Sequence, residues 1–189
     1  MTLFKGKYRN ESARLRGWDY RWDGWYFITI CTQYRRCWFG DIIDKTMRLS
    51  IAGHIVRDEL LKTPLIRSSV WLDEWIIMPN HLHAIMVINH DNGVGVGTSR
   101  RDVPTPVQWD ISPMQPMPPR LQSASLGAIV NQCKSICTKR IRAVGYVDFA
   151  WQPRFHDSIL RTPEAIARVR SYIRQNPRHW EQDALFNGR

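Results

Sequence analysis

The sequence predicts an α+β domain: a βαββαβ antiparallel sheet with helices on one face, plus one further helix near the C-terminus. Three observations carry that prediction. Short runs rich in β-branched and aromatic residues recur along the chain, apolar stripes of helical period separate them, and a well-capped helical run follows the last strand. A chain of 189 residues is about one domain, long enough to bury a core.

The first strand is WYFITICT (25–32), whose β-branched and aromatic residues make a good buried strand. A helix is predicted after Lys45, because Leu49, Ile51, Ile55, Val56 and Leu60 recur at helical spacing, and Pro64 closes it. SVWLDEWIIM (69–78) is the second strand. Pro79 and Asn80 make the turn, and HLHAIMVI (81–88) returns as the third strand of a hairpin. The clearest helix is SLGAIVNQCKSICTKRIRAV (125–144). Its apolar stripe runs through Leu126, Ile129, Val130, Cys133, Ile136, Cys137 and Ile141, with Lys134, Lys139, Arg140 and Arg142 largely off it. FAWQPRFHDSIL (149–160) is the fourth strand, made irregular at its start by Pro153. The last helix, 162–176, opens on Thr162 as N-cap with Pro163 and Glu164 in the first turn, and ends before Pro177. The order is the ferredoxin-like one.

Two segments stand outside this frame. Residues 1–24 form a basic, aromatic arm in which Arg alternates with Trp and Tyr, a texture that pairs with phosphates and stacks on unpaired bases or, equally, folds back onto the domain. Residues 89–120 concentrate Gly and Pro without any period, so a flexible insertion is expected in a single domain spanning 25–189.

Composition narrows the partners. An excess of 27 Lys and Arg over 17 Asp and Glu gives a net charge of +10 and a pI near 9.9. That suits a polyanion, and the charge is spread along the chain. No stretch is apolar enough for a membrane span or a signal peptide, so a cytoplasmic protein without a membrane partner is expected. Cys31, Cys37, Cys133 and Cys137 form no CxxC pair, which argues against a zinc ribbon and for reduced thiols.

The chemistry concentrates in WIIMPNHLHAIMVI (75–88) and in the last helix. Alternate residues of a strand share a face, so His81 and His83 point the same way and can offer two imidazole nitrogens to one divalent ion. Tyr172 and Asn176 are four apart on a helix and therefore neighbours on one side of it. That places a phenol able to attack phosphorus beside an amide able to complete a metal site, with Gln175 as a second amide for that role. Packing of Tyr172 beside Val169 and Ile173, with Asn176 as a plain helix terminator, explains the same residues without chemistry.

MPNHLHAIMV together with WQPRFHDSILRTPEAIARVRSYIRQNP resembles the single-tyrosine HUH transposases, in particular the REP-associated tyrosine transposases. GWYFITICT and SLGAIVNQCKSICTKRI extend the resemblance over most of the chain outside 89–120. It implies His81 and His83 as the metal-binding HUH pair, Tyr172 as catalytic nucleophile and Asn176 as the third metal ligand, where transposon relatives often carry Gln. It further implies Mg2+ or Mn2+, a 5′-phosphotyrosine intermediate, and single-stranded or hairpin DNA as substrate. Arg154, Arg161, Arg168, Arg170 and Arg174, with Gln175, are expected to hold the DNA backbone weakly and salt-dependently. His156, on the fourth strand, is equally arguable as a site residue or a packing one. Monomer and homodimer both remain open.

Three rival readings are weaker. A relaxase or rolling-circle initiator shares the chemistry but sits in a longer chain. A ferredoxin-like, non-catalytic binder of single strands needs neither His81 nor Tyr172. A two-histidine phosphoesterase needs a second matched motif that the sequence lacks.

Overall fold

The computed structural model describes residues 15, 17–90 and 125–186, and the backbone of a small antiparallel ribbon formed by β1 (Leu3–Phe4) and β2 (Tyr8–Arg9). The expected insertion lies outside the described residues, apart from Asn89 and His90. So do the side chains of the arm before Leu15 and those of Arg16. The aromatics of the described part of the arm fold back. Tyr20 is buried, and the Tyr26 hydroxyl accepts from the Trp18 indole at 3.1 Å and donates to the Trp22 carbonyl at 2.8 Å.

The central sheet is antiparallel with strand order β6-β7-β3-β8, where β3 is Gly24–Cys31, β6 is Val70–Ile77, β7 is His81–Ile88 and β8 is His156–Leu160. The two middle strands, β3 and β7, are covered on both faces, which is why their sequences read as nearly continuous apolar runs. Alternation divides them cleanly. Tyr26, Ile28, Ile30, Leu82, Ala84, Met86 and Ile88 face α1 (Ile51–Ile66) and α2 (Leu126–Ala143), whose Ala52, Val56, Leu60, Ile129, Val130, Cys133 and Cys137 complete the main core. The opposite face carries Trp25, Ile85, Val87 and Leu160 under Ile166 and Ile173 of α3 (Pro163–Gln175). The ferredoxin-like prediction is met: two helices cover one face, and the added C-terminal helix lies on the other.

The α-helices α1, α2 and α3 each start on a hydroxyl cap. Ser50, Ser125 and Thr162 accept from the backbone N–H of Gly53, Ala128 and Ala165 at 3.1, 3.3 and 3.2 Å.

Several details differ from the sequence prediction, each for a local reason. Pro64 does not end α1 but sits in its last turn, where only the one bond its missing N–H would have made is lost. A second hairpin, β4 (Gly40–Ile43) and β5 (Thr46–Leu49), stands between β3 and α1. Its two-residue turn, Asp44–Lys45, has φ of 50° and 59°, the geometry that usually advertises itself with a glycine. Of the fourth strand expected over 149–160, only His156–Leu160 is regular, while Trp151 makes a lone bridge to Thr32. Pro153, lacking an amide hydrogen, falls in the break. Lys134 is buried rather than off the stripe, its ammonium donating to the Gln152 carbonyl at 2.6 Å.

At Gly40, φ is +132° and a Cβ would run into the Arg48 carbonyl oxygen. Gly40→Ala is expected to lower stability by at least about 2 kcal/mol, read as a drop in the urea midpoint, since neither backbone can move without opening the hairpin.

Candidate metal and tyrosine site

The face of the sheet under α3 also carries the histidines. Register pairs His83 with Thr29 and His81 with Cys31, so both imidazoles rise from the end of β7 beside the middle strand. Both are buried. Their Nε2 atoms lie 3.1 Å apart, and the Tyr172 hydroxyl is 3.2 Å from His83 Nε2. Phe27 stacks on the His83 ring at 5.3 Å and meets the Tyr172 ring edge-on at 6.1 Å, so one aromatic holds both groups. Trp180 covers His81 at 5.9 Å.

The other ring nitrogens are held as well. His83 Nδ1 is 2.9 Å from the Thr29 hydroxyl, and His81 Nδ1 is 2.8 Å from Asn80 Oδ1.

Beyond Tyr172 the chain does not stop at Pro177 but passes directly into a 3-10 turn, Asn176–Gln182, which the proline tolerates in its first turn. This turn delivers Asp183 back to the histidines. His81, His83 and Asp183 can bring one ligand atom each within 4.8 Å of one another, a candidate metal site. Asn176 is buried and donates its amide to Asp183 Oδ2 at 2.9 Å, while its Oδ1 has no hydrogen-bond partner. Gln175 is exposed and donates to the Ser171 hydroxyl at 3.0 Å. Of the two amides offered by the sequence, Asn176 is the one that reaches the cluster.

The donor set fits a divalent cation. Two ligands held at right angles around one such ion, each at roughly 2.1 Å, lie about 3 Å apart, close to the separation of the two Nε2 atoms. A buried amide oxygen left bare is a further donor.

Burial, with the proximity of His83 and of Arg35, holds the pKa of His81 well below the usual imidazole value. Burial lowers that of His83 to about 4, with the Asp183 carboxylate pulling the other way. Both rings are therefore neutral near pH 7, the form that ligates a metal. Burial and Asp183 raise the Tyr172 phenol, against a smaller opposite effect from Asn176, so this phenol ionises reluctantly without a nearby cation.

The depressed histidines carry a stability consequence. Between the unfolded value near 6.5 and the folded value of about 4, the unfolded chain binds the proton that His83 refuses, so stability rises with pH across that window. His83 alone is expected to account for a loss on the order of 3 kcal/mol as pH falls through it in the metal-free protein, and His83→Gln to remove that share of the slope in urea titrations while His81 keeps its own.

A cleft of about 600 Å³ opens over the site, lined by Phe27, Thr29, His83, His156, Tyr172 and Asp183 among others. His156, opposite Thr29 in register, is exposed at its wall rather than packed in the core.

The arginines divide. Arg170 forks onto Asp73 with two bonds of 2.7 Å and lies 5.5 Å over Trp25. Arg174 pairs with Glu74 at 2.6 Å. These two tie α3 to β6 and so fix where Tyr172 stands. Arg161 lies over Trp18 at 5.3 Å, and Arg154 and Arg168 are exposed.

No family model matches the chain. An uncharacterized protein of Haemophilus influenzae is 32% identical over 181 residues, covering 96% of this chain and 95% of that one, and the chain belongs to one family with it. A REP-associated tyrosine transposase, solved bound to a REP hairpin, superposes with a TM-score of 0.55 at 17% identity, over 90% of this chain and 74% of that one.

The fold is that of a REP-associated tyrosine transposase. On this transposase fold the sequence reading brings His81, His83, Tyr172 and Asn176 together and misses Asp183. Nothing in QDALF marks an acidic residue as returning to the sheet, because its placement depends on the 3-10 turn and not on any periodicity. Thr29 and Trp180 were hidden for a similar reason: each reads as an ordinary strand or helix residue. Among the described residues no helix is long and apolar enough to cross a membrane.

Proposed function

We propose that this chain is a metal-dependent single-stranded DNA endonuclease and strand transferase, with Tyr172 as nucleophile, acting on single strands that flank a hairpin. One observation carries the reading: in a single chain, the Tyr172 hydroxyl stands 3.2 Å from one of two imidazole nitrogens that are themselves 3.1 Å apart. A tyrosine kept only for packing would have no reason to place its oxygen there.

His81 and His83 would hold Mg2+ or Mn2+, with Asp183 or the bare Asn176 oxygen completing the set. When bound, the cation neutralises charge on the scissile phosphate and favours the phenolate. The remaining work falls to the chain. Phe27 and the two ion pairs of α3 orient the phenol, which loses its proton as its oxygen attacks phosphorus. The bond to the 3′-oxygen breaks, that oxygen leaves as a hydroxyl after taking up a proton, and the 5′-phosphate remains on Tyr172. The energy of the phosphoester is kept, so another 3′-hydroxyl can reverse the step. The cleft of about 600 Å³ over the site is open to solvent and would admit an extended single strand to the phenol. The solved neighbour's REP hairpin and the net charge of +10 support hairpin DNA as the partner.

The test is a denaturing gel of end-labelled hairpin DNA with single-stranded flanks, incubated with protein and Mn2+. A protease-sensitive, protein-linked DNA band is the expected result. Retained DNA with no linked band under either metal would instead favour a non-catalytic binding protein.

A further inference from the structure

We propose that Asn80 is a positioning residue that fixes the tautomer of His81, presenting a bare Nε2 to a divalent cation; this rests on the metal site proposed above. The sequence assigns Asn80 only to a turn, yet its side chain is wholly buried and every part of it is engaged. Its amide nitrogen donates to the Arg35 carbonyl at 3.1 Å and to the Leu185 carbonyl at 2.8 Å. Two carbonyl oxygens can be faced only by N–H groups, so the amide cannot turn over. Its oxygen is thereby aimed at His81 Nδ1, 2.8 Å away. An amide oxygen only accepts, so the imidazole donates from Nδ1 and its Nε2 is left with a lone pair.

The neighbouring histidine is not constrained in this way. The Thr29 hydroxyl beside His83 Nδ1 can donate or accept, and so serves either tautomer. The two ligands therefore have different partners: one fixed in its ligating form, one free to adjust. The main chain of Asn80 is also held, its carbonyl accepting from the Thr32 backbone N–H at 2.9 Å and the Thr32 hydroxyl at 3.0 Å. Because the amide also holds Leu185, two residues past Asp183, it ties the candidate carboxylate ligand to the same frame.

The experiment is imidazole 15N NMR of the metal-free full chain at neutral pH, combined with Mn2+ titration followed by EPR. In the wild-type protein His81 is expected to be protonated at Nδ1. A wild-type His81 protonated at Nε2 overturns the proposal without recourse to any variant. In Asn80→Ala the Nε2–H form should become populated and Mn2+ affinity fall about 10- to 100-fold. Asn80→Asp retains an acceptor toward Nδ1, so it should keep the tautomer and most of the affinity even if its melting temperature drops. If both variants melt earlier but neither changes the tautomer or the relative affinity, Asn80 is only a structural turn residue. A wild-type protein that binds no Mn2+ would overturn the metal site and with it the presentation of Nε2 to a cation, whereas a wild type that binds Mn2+ with His81 protonated at Nε2 would overturn the role of Asn80 alone.

Discussion

Tyr172→Phe is expected to abolish the covalent DNA adduct, lowering cleavage by at least about a thousandfold. It should leave the fold and DNA retention nearly unchanged. The reason lies in how little else the hydroxyl does. The residue is 46% exposed, and its oxygen meets two groups of the site, His83 Nε2 at 3.2 Å and the Asn176 side chain. Phenylalanine keeps the edge-on contact to Phe27, so the change removes only the hydroxyl's hydrogen bonds, each worth about 1 kcal/mol. A melting temperature within a few degrees of wild type, with the linked band gone, separates a nucleophile from a packing residue. Persistence of the linked band would move the nucleophile elsewhere.

Replacing either histidine by glutamine should produce the second large effect. Each substitution removes one of the two closely spaced nitrogens and leaves a neutral polar side chain in a buried place. Mn2+ affinity is expected to fall at least about a hundredfold, and the adduct to disappear at low metal. The two variants should differ in their side effects. His83 is stacked on Phe27 and adjoins Tyr172, so His83→Gln also loosens the phenol. His81 is covered by Trp180 and held by Asn80, so His81→Gln should disturb the C-terminal turn more than the tyrosine. Adduct formed at raised Mn2+ is therefore expected for His81→Gln before His83→Gln. Isothermal titration with Mn2+ and the same gel assay read both.

The parts of the fold that could be read from the sequence are those where burial imposes a period. HLHAIMVI matches β7 residue for residue because a strand covered on both faces must be apolar throughout, which makes its two histidines conspicuous. The stripe of α2 and the cap of α3 were legible for the same kind of reason. What escaped depends on contacts between residues distant in sequence. The β4–β5 hairpin turns on Asp44–Lys45 without a glycine, and Lys134 is drawn inward by carbonyls near Gln152 that no helical period announces. Arg174 and Arg170 read as DNA contacts, yet each meets an acid of β6, and only the packing of α3 across the sheet shows it. Asp183 and Asn80, which complete the surroundings of the histidines, lie in turns. There the sequence records only that the chain bends.

The central claim is that one cation and one phenol meet on the α3 face of the sheet within a single chain. Crystals grown with Mn2+ and measured at the manganese absorption edge test it most directly. A single anomalous peak touching His81 Nε2 and His83 Nε2, on the side where Tyr172 stands, is the predicted result. Well-ordered imidazoles with no peak between them, while manganese sits elsewhere on the protein, would contradict it.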